Sequence, residues 1–323
     1  MAEKVDLNSK KSVADGFRKK SGLDITFGTL MRLMHKGDHK QKMDASLSAE
    51  TVQGILRHVE LSFPGALPTN RMAKQAYSIL EQYGYNNSGN TLVATALCCD
   101  ELNRQLEGDI CSKFGSVGAY NMGGLAGFCF GGVVGFGNMA NHVPAGGNCL
   151  VVYGPHVGID WDFQFGRVPR DESSSVSSEC CGPAQMAYEY SLRVRKGERA
   201  PVERATDIIE SQQTWVCQQV DAVSDRISAA TNPQVELPYA LYDAQSEILQ
   251  RIVQKAGSEF VAGKTLAFLG GITINTPEGT PEYFLPKQFA ILDASTGEMK
   301  HNLLDPLLAA RPAVAVRRPR ADK

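Results

Sequence analysis

The spacing of apolar residues along the chain predicts alternating helices and strands. Apolar positions three and four residues apart predict helices from Ser48 to about Pro64 and from Thr69 to about Gly84, then over 183–194, 202–229 and 238–255. Apolar, partly β-branched runs predict buried strands over 91–97 and 148–153, and a hairpin over 265–274 and 283–292. This order of elements predicts an α/β fold with a central, mainly parallel sheet flanked by helices.

Polarity and glycine content divide the chain further. Residues 1–45 form a polar N-terminal extension with helical segments, residues 46–305 a single α/β domain, and residues 306–323 a Pro- and Arg-rich tail that we expect to be disordered. Between the two buried strands, the stretch 115–147 is dense in glycine. Such density predicts close backbone approaches and a tightly folded loop that lines a pocket.

Charge and cysteine distribution limit the function. With 33 basic and 35 acidic side chains the chain has no strong net field, which argues against nucleic acid as a partner and favours a small substrate. No run of 18 or more apolar residues exists, so we expect no membrane span. The eight cysteines are uneven: none precedes Cys98, and seven lie between Cys98 and Cys181. This spacing is unlike a secreted disulfide framework and predicts a soluble protein in a reducing compartment.

Several cysteines and one histidine occur where predicted strands end or a predicted helix begins. Cys98 and Cys99 follow the first buried strand, His156 follows the second, and Cys180 and Cys181 precede a helix. Open α/β sheets gather their ligands at such strand ends. Two thiolates and an imidazole would leave a tetrahedral zinc ion one open position, which is typical of a catalytic site. The sequence therefore predicts a zinc site that activates water.

The choice within each cysteine pair follows from local geometry. Neighbours in an extended chain point to opposite sides, so Cys98 is favoured as the ligand and shares its side with Asp100. Cys181 is favoured over Cys180 because it is closer to the helix N-terminus. Asp100 can bind the metal or accept a hydrogen bond from its water, and Arg104, four residues later, can pair with Asp100. Alternatively, Asp100 caps a helix and Arg104 is a solvated side chain.

These residues, with several further motifs, resemble the limiting-CO2-inducible protein B family. The motifs are Cys98-x-Asp100-Glu101-Leu102-Asn103-Arg104, Gly124-Leu125-Ala126-Gly127-Phe128, Asn141-His142-Val143-Pro144, Gly154-Pro155-His156-Val157-Gly158-Ile159 and Cys181-Gly182. The resemblance covers about residues 20–300 and implies a β-carbonic-anhydrase-like fold, a homodimer, zinc ligands Cys98, His156 and Cys181, and an Asp100–Arg104 pair. Common β-carbonic anhydrases place the arginine two residues after the aspartate, so Arg104 departs from their pattern.

The activity that the resemblance implies is reversible hydration of CO2 to bicarbonate by zinc-activated water, in inorganic-carbon handling. His142 is a candidate proton shuttle because imidazoles exchange protons near neutral pH. Two alternatives remain: a catalytically inactive, zinc-binding scaffold or regulator of a CO2-concentrating system, and a hydrolase acting on another small electrophile. The absence of Cys-x-x-Cys argues against a redox thiol protein. The expected location is the cytoplasm or, in an alga, the chloroplast stroma.

Overall fold

A computed structural model describes residues 49–170, 176–205, 207–256 and 265–309. The helices are α1 (Ala49–Ser62), α2 (Thr69–Glu81), α3 (Arg104–Lys113), α4 (Gly132–Asn141), α5 (Gly182–Arg195), α6 (Ser211–Ala229), α7 (Pro233–Ala256) and α8 (Leu304–Ala309). The strands are β1 (Leu67–Pro68), β2 (Thr91–Ala96), β3 (Tyr120–Asn121), β4 (Asn148–Tyr153), β5 (His156–Gly158), β6 (Arg167–Pro169), β7 (Ser177–Glu179), β8 (Thr265–Asn275), β9 (Tyr283–Asp293) and β10 (Met299–Asn302). The predicted extension over 1–45 lies outside the described residues.

An eight-stranded sheet forms the centre of the domain. Its main order is β1-β9-β8-β4-β2-β3, with β10 paired to β9 and β5 to β8. The pairs β8–β4, β4–β2, β2–β3 and β5–β8 are parallel, whereas β9 is antiparallel to β8, β1 and β10. The predicted hairpin is confirmed as β8 and β9. Because β2 and β4 are parallel neighbours, their carboxyl ends lie side by side, and the chemistry-bearing residues follow these ends.

Both faces of the sheet are covered by helices. Alternate residues of β4 point to opposite faces: Val151 joins a core with α1, α4 and α7, whereas Leu150 and Val152 join a core with α2, α3 and α8. These three side chains are completely buried. Double coverage explains why β4 is an uninterrupted apolar run, since both faces of the strand are withdrawn from water.

Two helix boundaries differ from the prediction. The helix predicted from 202 begins only at Ser211, because the Asp207 carboxylate accepts a hydrogen bond from the Ile209 N–H and forms a turn that competes with the helix. The helix predicted from 238 begins earlier, at Pro233, where the Asn232 side chain accepts from the Gln234 N–H and caps the helix.

Two predicted irregular regions are partly helical. The glycine-rich stretch contains α4, so the prediction of a loop is wrong over 132–141. At the other end, α8 buries Leu307, and the packed domain continues past the predicted limit at 305. Residues 310–323 of the predicted tail lie outside the described residues. No helix in the described ranges combines the length and apolar character needed to cross a bilayer.

Candidate metal centre

Three separate elements bring Cys98, His156 and Cys181 together, and we call these residues the Cys–His–Cys group. Cys98 lies two residues after β2, His156 begins β5 just after β4, and Cys181 is the N-cap residue of α5. All three are 2% exposed, their ligand atoms lie within 4.8 Å of one another, and the two Sγ atoms are 3.7 Å apart. The group could therefore hold a metal ion.

The backbone around the group is shaped by close contacts at glycine. A side chain at Gly123 would overlap the carbonyl oxygen of Leu97, and one at Gly154 would overlap the carbonyl oxygen of Gly271. Gly154 also has φ +146°, a conformation that favours glycine. In the extended segment after β2, Cys98 points inward and Cys99 is exposed, as the alternation of side chains predicts.

His156 has one nitrogen that is hydrogen-bonded and one that is not. Nδ1 lies 2.7 Å from the Asn275 side-chain oxygen, whereas the buried Nε2 atom has no hydrogen-bond partner among the described residues. A buried polar atom without a partner is costly, and here it belongs to the same cluster as two thiol sulfurs. Two sulfurs and one imidazole nitrogen are a donor set that suits zinc, so the residues present fit the metal that the resemblance implies.

The two thiols of the group differ in acidity. The hydrogen bond from the Cys181 thiol lowers the pKa of Cys98 to about 4, and the neighbouring His156 ring contributes in the same direction. The same contact with Cys98, together with burial, raises the pKa of Cys181 well above its ordinary value. The Cys98 sulfur thus carries negative charge easily, and a bound metal cation would supply the positive charge that favours ionisation of the Cys181 thiol.

Asp100 lies beside the Cys–His–Cys group and pairs with Arg170. Two parallel hydrogen bonds of 3.0 Å join the Arg170 guanidinium to the two carboxylate oxygens. Burial by itself raises the pKa of the Asp100 carboxyl, but Arg170, His156 and the Leu102 N–H together outweigh it and lower the pKa to about 2. Oδ2 of Asp100 is 4.0 Å from Nε2 of His156, so the carboxylate borders the unpartnered nitrogen.

The predicted Asp100–Arg104 pair is wrong. Asp100 is extended and caps a 3-10 turn over Glu101–Asn103 by accepting from the Leu102 N–H, so it does not share a helical face with Arg104. The Arg104 side chain is 51% exposed and pairs with Glu107 at 3.2 Å. The capping alternative for Asp100 describes this local structure, and Arg170 supplies the cation.

Arg170 is held by a small hairpin away from the main sheet. It follows β6, which pairs with β7, and its Nε donates to Ser178 at 2.7 Å while one terminal nitrogen donates to the Glu179 carbonyl at 3.1 Å. A cavity of about 430 Å³ lies against Arg170, Leu102 and Asn275. Arg170 contacts Asp100 and Asn275 contacts His156, so the cavity borders residues next to the Cys–His–Cys group.

Several residues that contact His156 or Asp100 were not predicted from the sequence. Asn275 ends β8 at the same edge of the sheet, which is a signal that sequence reasoning could have used. Cys180, which the sequence disfavoured as a ligand, is buried and lies 3.4 Å from Nδ1 of His156. Nothing in the spacing of residues along the sequence pointed to Arg170.

The predicted residue His142 is exposed at the end of α4. Its ring packs against Tyr120, with ring centroids 5.5 Å apart.

Comparison with known proteins identifies the family. A family model described as limiting CO2-inducible proteins B/C beta carbonic anhydrases matches residues 66–293. The crystal structure of PtLCIB4, a homolog of the limiting CO2-inducible protein LCIB, is 37% identical, with a TM-score of 0.70 over 76% of this chain and 99% of that chain. The crystal structure of LCIB itself is 19% identical and has a TM-score of 0.54 over 76% of this chain and 99% of that chain. At this identity the match shows a shared fold. No curated protein matches significantly. The family match over more than half of the chain shows that the chain belongs to the limiting CO2-inducible protein B/C family, with its β-carbonic-anhydrase-like fold.

Proposed function

We propose that the protein is a zinc carbonic anhydrase that catalyses the reversible hydration of CO2 to bicarbonate in inorganic-carbon handling. The observation that carries the proposal is the buried Cys–His–Cys group, in which Nε2 of His156 has no hydrogen-bond partner among the described residues. Family membership supports the same reading, because the matching family is described as beta carbonic anhydrases.

Cys98, His156 and Cys181 would hold the metal. When bound by these residues, zinc would lower the pKa of water, so that hydroxide would be available as a nucleophile near neutral pH. Because two thiolates offset the charge of the ion, we expect this acidification to be weaker than with three histidines. Hydration activity should therefore rise into mildly alkaline pH, and a flat profile from about pH 6 to about pH 9 would contradict this expectation.

Asp100 is suited to orient the reacting water. Its pKa of about 2 keeps the carboxylate ionised at neutral pH, where it can only accept hydrogen bonds. A water molecule next to it must point a hydrogen at Asp100, which leaves an oxygen lone pair available for CO2. The two hydrogen bonds from Arg170 also restrain the carboxylate from becoming a fourth ligand.

The decisive test uses adjacent cysteines as variant and control. Cys98→Ser replaces a buried sulfur of the group, whereas Cys99→Ser replaces its exposed neighbour. We expect about one zinc per chain and CO2 hydration by stopped flow in the wild-type and Cys99→Ser proteins, and loss of both in Cys98→Ser. Zinc without hydration in the wild-type protein would favour the scaffold alternative, and a wild-type chain without zinc would overturn the site.

Proton transfer to solvent completes the proposed cycle, and His142 is the candidate shuttle. Its exposed position at the end of α4 allows exchange with buffer. If it is the shuttle, His142→Ala should lower kcat at low buffer concentration and be rescued by added imidazole. A kcat that does not change at any buffer concentration would remove His142 from the mechanism.

We also propose a homodimer and a reducing compartment, the cytoplasm or the chloroplast stroma. Val133, Val134 and Trp215 are 38%, 76% and 38% exposed, and the first and last of them line an apolar cavity of about 440 Å³ that a second copy can cover. Light scattering should report a dimer that Val134→Glu weakens, and a monomeric wild-type protein would refute the proposed dimer.

A reducing compartment suits the site because the Cys98 and Cys181 sulfurs are 3.7 Å apart. In an oxidising compartment these two sulfurs would be open to oxidation.

A further inference from the structure

Asn275 lies between His156 and a buried carboxylate. Its side-chain oxygen is 2.7 Å from Nδ1 of His156, and its side-chain nitrogen donates to Oε1 of Glu282 at 2.5 Å and to the Leu102 carbonyl oxygen at 3.2 Å. Asn275 is 1% exposed and Glu282 is 8% exposed. These contacts connect the Cys–His–Cys group to residues on β8 and at the start of β9.

The partners of Asn275 determine the orientation of its amide. The Leu102 carbonyl oxygen can only accept a hydrogen bond, so the NH2 group must face it, and Oε1 of Glu282 accepts the second hydrogen bond of the same group. The amide oxygen must then face His156. The Cys180 thiol, 3.5 Å away, also donates to this oxygen. A reversed amide would place its single oxygen against two acceptors, the Leu102 carbonyl oxygen and Oε1 of Glu282.

The amide orientation in turn determines which histidine nitrogen carries the hydrogen. Because the Asn275 oxygen has no hydrogen to give, Nδ1 of His156 must be the donor whether the ring is neutral or charged. In the neutral ring Nε2 then has a free lone pair, and this is the atom without a partner inside the Cys–His–Cys group. If the amide reversed, Nδ1 would become the acceptor and Nε2 would carry the hydrogen that blocks a metal.

We propose that Asn275, oriented by Glu282 and the Leu102 carbonyl, is a positioning unit that holds His156 as the Nδ1–H tautomer and so directs Nε2 to the metal. The inference deepens the proposed function and rests on its metal site. Residues that orient a metal-binding histidine in this way typically change metal affinity 10- to 100-fold when mutated, by order of magnitude. Neither Asn275 nor Glu282 needs to touch the metal or the substrate.

The test measures zinc affinity by competition with a chromophoric chelator. Asn275→Ala should weaken zinc binding about 10- to 100-fold. Thr273→Val is the matched control: Thr273 lies on the same face of β8, is fully buried, and its hydroxyl has no partner among the described residues. We expect this control to bind zinc like the wild type.

Glu282 provides a second pair of variants that leave Asn275 in place. Glu282→Gln keeps an oxygen that can accept from the Asn275 amide, so zinc affinity should change little, whereas Glu282→Leu removes the acceptor and should weaken binding. If Asn275→Ala does not fold, the comparison of Glu282→Gln with Glu282→Leu tests the inference instead. Wild-type zinc affinity in the folded Asn275→Ala and Glu282→Leu proteins would overturn the inference.

Nitrogen NMR identifies the tautomer of His156 in the metal-free protein and does not depend on catalytic activity. The chain has six histidines, so the signal lost in His156→Gln identifies His156. At a pH where the ring is neutral, the wild type should show Nδ1–H, and Glu282→Leu should show a mixture of tautomers. An Nε2–H ring in the wild type would overturn the inference. A wild-type chain that shows Nδ1–H but binds no zinc would instead refute the proposed function.

Discussion

Replacing Glu282 with glutamine should change how the stability of the protein depends on pH. The Glu282 side chain is 8% exposed, and its Oε2 atom has no hydrogen-bond partner among the described residues. Burial raises the pKa of this carboxyl from 4.5 to about 7; Asn275 acts against the rise, Asp109 adds to it and His156 opposes it. The ionised form is therefore the one that the folded state disfavours.

The sign and size of the effect follow from this pKa. Because the folded-state value is the higher one, the stability that the Glu282 carboxyl contributes is complete below about pH 4.5 and is lost as the pH rises through about 7. The rise from 4.5 to about 7 corresponds to about 3 kcal/mol of unfolding free energy. Glu282→Gln has no ionisable group at this position, so this loss should not occur in the variant.

Urea unfolding followed by tryptophan fluorescence measures the effect, with chelator present so that metal binding does not contribute. Between about pH 5 and about pH 8.5 the variant should become more stable than the wild type by up to about 3 kcal/mol relative to their difference at the lower pH. Comparing the stability difference at the two pH values cancels any pH-independent cost of burying the glutamine amide. Glu298→Gln, which removes an exposed carboxylate in the turn between β9 and β10, should leave the wild-type pH dependence unchanged. Parallel curves for Glu282→Gln and the wild type would refute the reasoning.

Three further predictions test the site and the core. Arg170→Ala should lower CO2 hydration about tenfold or more by releasing Asp100, whereas Arg104→Ala, at a solvated side chain, should keep most of it; stopped-flow assays compare the two. Cys180→Ala should keep about one zinc per chain by elemental analysis, and Cys181→Ala should lose it, because only the second sulfur belongs to the Cys–His–Cys group. Leu150→Ala, at a fully buried position of β4, should cost about 2–5 kcal/mol of unfolding free energy in urea titrations.

Local patterns predicted much of the fold. The boundaries of β4 and the hairpin of β8 and β9 follow from short apolar runs, and α2 begins at Thr69 as its apolar spacing predicts. The start of α6 was wrong because a single side-chain hydrogen bond, from the Ile209 N–H to Asp207, competes with an apolar spacing that would otherwise extend the helix. Such local competition is not visible in a hydrophobic pattern.

The sequence by itself determined most of the long helices and strands and pointed to the three members of the Cys–His–Cys group. Alternation along an extended strand end places Cys98 inward and Cys99 outward, and a proline-started helix places Cys181 at an N-terminus. These rules act over a few residues, where covalent geometry limits the possible directions of a side chain.

Only the tertiary structure decided the partners of those residues. Arg170 reaches Asp100 because the β6–β7 hairpin holds it there, 70 residues along the chain, and Asn275 reaches His156 because β5 pairs in register with the end of β8. Arg104 is far closer in sequence to Asp100 but points to solvent, because the 3-10 turn between them breaks the helical face. Which cation or amide meets a given side chain depends on strand register and packing over long separations, and local spacing does not encode that choice.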